Sequence, residues 1–172
     1  MADSDDIEQR LDYLRSTYGE FPVESDTYYH ADKDFERVLR NHKRGVPGAS
    51  RVWVERKDET LLVRTHGGPD GWGVPGGFIE PTERSDHAGE REVHEETGID
   101  CEVFDVAYVH IAENRLEDGD CKPIEELGVA FLASAVGGKV DPQEDEIAAA
   151  KWWSALPDSS YPPASRLGPE RL

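Results

Sequence analysis

The stretch GFIEPTERSDHAGEREVHEETGI, Gly77 to Ile99, decides how the rest of this chain is read. Its second half reads as a helix, with Ser85 placed as the N-cap and Gly98 as the terminator. On that helix Glu92, Glu95 and Glu96 stand at i, i+3 and i+4, so three carboxylates project from one face. They repel one another. They also crowd the last turn, where the helix dipole disfavours each anion by roughly 0.3–1 kcal/mol. A hard divalent cation reverses that sign, because Mg²⁺ takes oxygen ligands and is held by a few carboxylates together with waters and substrate phosphate oxygens. Local chemistry therefore points to a metal site that handles phosphate. Gly76-Gly77 suits it, since glycine lets the backbone approach a metal or phosphate with no Cβ in the way.

The spacing of Gly77, Glu83, Arg91, Glu92, Val93, Glu95, Glu96, Gly98 and Ile99 resembles the Nudix hydrolase signature at every fixed position, and Trp72-Gly73-Val74-Pro75-Gly76 resembles the usual lead-in. The resemblance implies an α/β fold: a Nudix-type α/β/α sandwich with a mixed β-sheet over residues 46–157. It also implies that Glu92, Glu95 and Glu96 ligate Mg²⁺, with Mn²⁺ an alternative, and that the Gly77 carbonyl contributes. Glu83 and Arg91 are then expected to orient loop and helix, and an Arg fork holding two acceptors suits that supporting work. Val93 and Ala88 are expected to face the sheet.

A diphosphate resists hydrolysis at neutral pH until its charge is neutralised and a water is deprotonated and aimed, and bound metal supplies both. A carboxylate base assists. The candidates are Glu95, ranked first, and Glu144 or Glu146 in the acidic stretch Asp141–Glu146. For the stretch acids a solvated turn is the simpler reading. Arg56, Arg64 and His66 lie on or beside strands leading toward Gly76, and Trp72 and Trp152 are stacking candidates, although aromatics at such positions more commonly pack a core. His94 is expected to be exposed, with no second His at zinc spacing.

At 172 residues the chain is one domain by length. The acidic opening MADSDDIEQR is unlike a signal peptide and no long apolar run is present, so a cytoplasmic protein without a membrane partner is expected. Cys101 and Cys121 form no metal or redox motif. A formal charge of −18 disfavours nucleic acid polymers and leaves a small-molecule nucleotide as the expected partner. Only six of the 19 basic residues are Lys, a balance that resembles halophilic proteins. At molar salt the screening length falls to about 3 Å, so self-repulsion fades and stability is expected to rise with salt.

Residues 1–45 read as an N-terminal helical extension, with amphipathic helices at Ile7 to Tyr18 and Asp34 to Arg44, packing either on its own domain or across a homodimer. Phe21-Pro22 and Ser25-Asp26-Thr27 read as a connection between them. Arg51 to Glu55 and Leu61 to His66 predict a hairpin across Lys57-Asp58-Glu59. Strands are expected at Val103 to Ala112, Leu127 to Val136 and Ile147 to Trp153, with a turn at Gly137-Gly138. Residues 158–172 read as an irregular tail.

Within the resembled family, ADP-ribose hydrolases often carry a proline where this chain has Arg115, and the tyrosine of dinucleoside polyphosphate hydrolases and the pyridine nucleotide motif are also missing. The function expected first is cleavage of nucleoside diphosphates linked to another moiety, with ADP-ribose-like compounds favoured. A nucleoside triphosphate pyrophosphohydrolase is the alternative. A noncatalytic sensing module ranks third, because such modules tend to lose the box carboxylates.

Overall fold

In chain order the elements are α1 (Ser4–Tyr18), β1 (Val23–His30), α2 (Asp32–Lys43), β2 (Gly48–Arg56), β3 (Glu59–Thr65), β4 (Gly76–Phe78), α3 (Ser85–Thr97), β5 (Ile99–Leu116), β6 (Ile124–Gly138) and β7 (Ile147–Trp153). The computed structural model describes residues 4–119 and 121–163. Runs rich in Val, Ile, Leu and aromatics make strands of the central stretch, and these join in one seven-stranded sheet of order β1-β5-β6-β2-β3-β7, with β4 beside β2. The sheet is mixed: β1 lies parallel to β5 and β2 parallel to β6, while the other pairings are antiparallel.

The expected hairpin is present, and Lys57 sits at φ +56 in its turn. Ile147–Trp153 forms the last strand, paired with β3. Its alternation sends Trp152 and Trp153 to opposite faces, each packed against a different core cluster.

One face of the sheet carries α1 and α3. Ile7, Leu11 and Leu14 are at most 3% exposed and pack with Val93 of α3 and with Val52, Val109, Val129 and Phe131 of the sheet. Each such burial contributes about 1.5–3 kcal/mol, so α1 is part of the main core. The opposite face holds Trp53, Leu62, Val74 and Tyr108, with Trp72 and Trp153 edge to face at 5.0 Å. At one end of β5 and β6, Phe35 and Val38 of α2 pack on Ile124.

Four expectations need correction. The stretch read as a connection at residues 21–27 is largely strand, because Val23–His30 hydrogen-bonds along β5 from Val109 to Leu116. It hides from a hydrophobic pattern because it is an edge strand exposed on both faces. The N-terminal segment is accordingly not helical throughout. Ser85 is not the N-cap of α3: Arg84 holds that position without a side-chain cap bond. Ser85 is instead the first helical residue, and its carbonyl accepts from buried Ser50 Oγ at 2.6 Å. Gly137-Gly138 is not a turn but the end of β6, paired with Asp100 and Ile99, with Gly138 at φ +82. Residues 164–172 of the expected tail, and 1–3 of the extension, lie outside the described residues.

Candidate active site

Gly98, at φ +73, ends α3 and leaves its last turn facing β4 and the stretch before β7. The three glutamates differ in environment. Glu96 is 7% exposed and accepts the Gly76 N–H at 2.9 Å through Oε2. Burial drives its pKa up to about 7, against the lowering effect of that hydrogen bond. Glu92 is also raised by burial, partly offset by Arg91. Glu95 is the exposed member, its side chain 51% accessible.

Arg91 braces the cluster. Its Nε and Nη2 hold both oxygens of Glu83 at 2.8 and 2.9 Å, and its Nη1 reaches Glu92 at 2.8 Å and Glu95 at 3.0 Å. Nη2 also donates to the Phe78 carbonyl at 3.1 Å. The paired guanidinium keeps the Glu83 carboxyl below its ordinary range. Glu83 in turn accepts the Glu80 N–H, so one Arg ties the loop after β4 to the acidic face of α3.

Among the described residues no three His, Cys, Asp or Glu side chains converge closely enough to hold an ion as they stand. Arg91 Nη1 bridges Glu92 and Glu95 instead. The donor set nonetheless fits a hard cation. A Cβ on Gly77 would lie 2.4 to 2.6 Å from the Glu92 carboxylate, so the glycine keeps open a space lined by that carboxylate. The buried Glu96 and half-buried Glu92 carboxylates, both with raised pKa values and next to the glycines of β4, gain charge compensation from a divalent ion.

The stretch after β6 is pinned to the end of α3, with Asp141 N–H on the Thr97 carbonyl at 2.8 Å and Gln143 N–H on that of Glu96 at 3.2 Å. Within it Glu146 is the acid whose charge raises the pKa values of both Glu92 and Glu96. Glu144 is solvent-exposed and enters neither effect.

Several other candidates fall away from the carboxylates. Arg56 lies 4.2 Å over the Trp152 ring and Arg64 5.9 Å over Trp72. His94 pairs with Asp100 at 2.8 Å on the surface.

Sequence reasoning missed Arg51. It sits opposite Gly76 in the β2–β4 ladder, and its charge lowers the pKa of Glu96. A charged residue directly before the apolar run Val52-Trp53-Val54 was the available signal. Also missed was the grip of α1 on the loop after β4: Arg10 donates to the carbonyls of Glu83 at 2.7 Å and Pro81 at 3.0 Å.

The family model described as NUDIX domain matches residues 46–158. The chain is 37% identical over 132 residues to a protein named NAD-capped RNA hydrolase NudC from Pseudomonas fluorescens, covering 74% of this chain and 43% of that protein. It is 56% identical over 45 residues to diphosphoinositol polyphosphate phosphohydrolase 3-alpha of Mus musculus, covering 26% of this chain and 27% of that protein. The chain thus spans less than half the length of these relatives. Among solved structures, a MutT NUDIX hydrolase from Burkholderia pseudomallei superimposes with a TM-score of 0.55 at 24% identity, covering 70% of this chain and 92% of that one. The shared fold is the one built above.

Proposed function

The chain belongs to the Nudix family, and from that premise we propose that it is a divalent-metal-dependent hydrolase of nucleoside diphosphates linked to a second moiety, ADP-ribose-like compounds first among them. The observation that carries this reading is the buried Glu96 carboxylate, anchored on the Gly76 N–H beside a Glu92 carboxylate cradled against Gly77. A carboxylate in that setting has little structural use, because burial opposes its charge.

Glu92, Glu95 and Glu96, with the Gly77 carbonyl, would hold Mg²⁺ or Mn²⁺, which when bound polarises phosphoryl oxygens and lowers the pKa of a water. Arg91, fixed by Glu83, keeps Glu92 and Glu95 in place. Of the candidate bases, Glu95 is exposed enough to reach a water, and Glu146 is the acid of the neighbouring stretch whose charge acts on both Glu92 and Glu96. NAD joins two nucleosides through a diphosphate, so the substrate in the name of the P. fluorescens relative has the linkage assigned here. A charge of −18 argues against holding a long RNA body.

The test is hydrolysis of a panel of ADP-ribose, sugar nucleotides, NAD and nucleoside triphosphates with Mg²⁺, with Mn²⁺ and with EDTA. The reading expects metal-dependent release of nucleoside monophosphate from the diphosphate-linked compounds, lost in Glu96→Gln. Faster cleavage of triphosphates to pyrophosphate would favour the alternative, and metal-independent turnover would overturn both.

A further inference from the structure

A cavity of about 420 Å³ opens on the sheet face opposite α1 and α3, spanning β1, β5, β6 and β2. Strand register explains its shape. One row across the sheet runs Glu24, His110, Gly128, Ala49, Phe78, and the next runs Tyr108, Ala130, Arg51, Gly76. The floor is therefore small residues, walled on one side by Glu24, Asp26, Tyr28 and His110 and on the other by Arg51. The second row continues past the lining to Gly76, whose N–H holds Glu96, so the Arg51 end of the trough is the end nearer the carboxylate cluster.

The trough is polarised. At the far wall His110 Nε2 pairs with Asp26 at 2.9 Å, and the Tyr28 ring meets the His110 ring edge to face at 6.0 Å. Two carboxylates there repel phosphate but accept hydrogen bonds, and Asp26 still has accepting capacity beyond His110. At the near wall Arg51 is the cation. A ligand with a planar, donor-bearing end and an anionic end matches this gradient in one direction only. Apart from His110 of β5, the far wall comes from β1, outside residues 46–158, so the family-wide domain alone leaves the trough incomplete.

We propose that this trough takes the nucleoside half of the substrate. The base lies against Tyr28 and His110, its N–H groups or the ribose hydroxyls donate to Asp26 and Glu24, and the phosphates turn toward Arg51. The N-terminal strand is thereby the specificity-determining wall of the site. This rests on the hydrolase reading above, and it disfavours densely phosphorylated ligands with no neutral end.

Calorimetric titration of metal-free protein with AMP, ribose 5-phosphate and inorganic pyrophosphate tests it without any bond being cleaved. AMP should bind more tightly than pyrophosphate, and Asp26→Asn and Tyr28→Ala should each weaken AMP about tenfold or more. The outward neighbour Tyr29→Ala should leave AMP binding unchanged. Ribose 5-phosphate binding that also depends on Asp26 would identify the sugar hydroxyls as the donors, whereas dependence confined to AMP would identify the base. Hydrolysis of ADP-ribose by the same variants should lose more in KM than in kcat. AMP affinity unaltered in both Asp26→Asn and Tyr28→Ala, with both folded by circular dichroism, overturns the subsite even if hydrolysis persists. Asp26-dependent AMP binding without hydrolysis of any panel member would leave the subsite standing and sink the catalytic reading.

Discussion

The Tyr18 hydroxyl donates to the Asp86 carboxylate at 2.7 Å, joining the end of α1 to the first turn of the helix that carries the glutamates. Tyr13 donates to the same oxygen at 3.0 Å, and Arg84 holds both oxygens at 2.6 and 3.1 Å. Burial alone would raise the pKa of Asp86; these hydrogen bonds outweigh it and bring it down to about 2. The N-terminal segment therefore grips α3 at Asp86 and the preceding loop through Arg10, in addition to its apolar contacts.

A carboxylate depressed below its unfolded value stabilises the protein at every pH above that unfolded value. The contribution is lost as pH falls from about 4 toward 2. Asp86→Asn should thus cost about 2–3 kcal/mol at pH 7 and progressively less below pH 4. Denaturant unfolding of both proteins at pH 7 and pH 3 measures this. An equal deficit at both would show that shape, not charge, is what Asp86 supplies. Tyr18→Phe should cost about 1–2 kcal/mol with less pH dependence.

Two neighbouring glycines should respond differently to alanine. At Gly76, φ is +149 and a Cβ would meet the Ser50 carbonyl oxygen at 2.1 Å, so backbone must move and the β2–β4 pairing suffers. At Gly77 the obstacle is the tip of the Glu92 side chain, which can swing away. Gly77→Ala should keep a near-native melting temperature yet reduce metal-dependent turnover about 100-fold or more, by displacing one proposed ligand. Gly76→Ala should lower the melting temperature itself. Comparable activity in wild type and Gly77→Ala would remove Glu92 from the ligand set.

Much of this could be read in the chain because the information is local. The β2–β3 hairpin, α3 and β7 each declare themselves by alternation, helical spacing and glycine punctuation within a few residues. β1 does not: VESDTYYH is polar and faces solvent on both sides, and its place is held by main-chain bonds to β5. The trough is equally hidden. Glu24, His110, Gly128 and Ala49 are adjacent only through the register of four strands drawn from distant parts of the chain. Asp86 is one acid among 37 Asp and Glu in the sequence, and the Tyr13 and Tyr18 hydroxyls that set it apart come from α1, far from it in the chain.

Glu96 imposes the opposite pH trend. Its pKa is raised from an ordinary 4.5 to about 7, so the folded metal-free protein is favoured at low pH and loses stability as pH rises from 4.5 through 7. That shift converts to about 3 kcal/mol at most. Glu96→Gln in EDTA should be as stable as wild type at pH 4 and more stable by about 1–3 kcal/mol at pH 8, while lacking turnover with Mg²⁺. Thermal unfolding across that range checks the sign. A destabilised Gln variant at pH 8 would mean that the charged carboxylate is well satisfied without metal.

The charge of −18 bears on the whole fold. At about 10 mM salt the screening length is about 30 Å, so most pairs of acids across a domain of this size repel; at 1 M it is about 3 Å and only contacting charges interact. With 37 Asp and Glu against 19 Lys and Arg, the cations are too few to offset the repulsion, and Arg91 and Arg84 are already committed to carboxylates in and beside the proposed site. Compaction should therefore be favoured by KCl, with the melting temperature rising by about 5 °C or more between 10 mM and 1 M, since about 1 kcal/mol moves it roughly 2–4 °C at this length. The rise should persist in Asp86→Asn, because it comes from the distributed charge and not from that one network. A flat melting temperature over this range would mean that the acids are spaced widely enough for water alone to screen them.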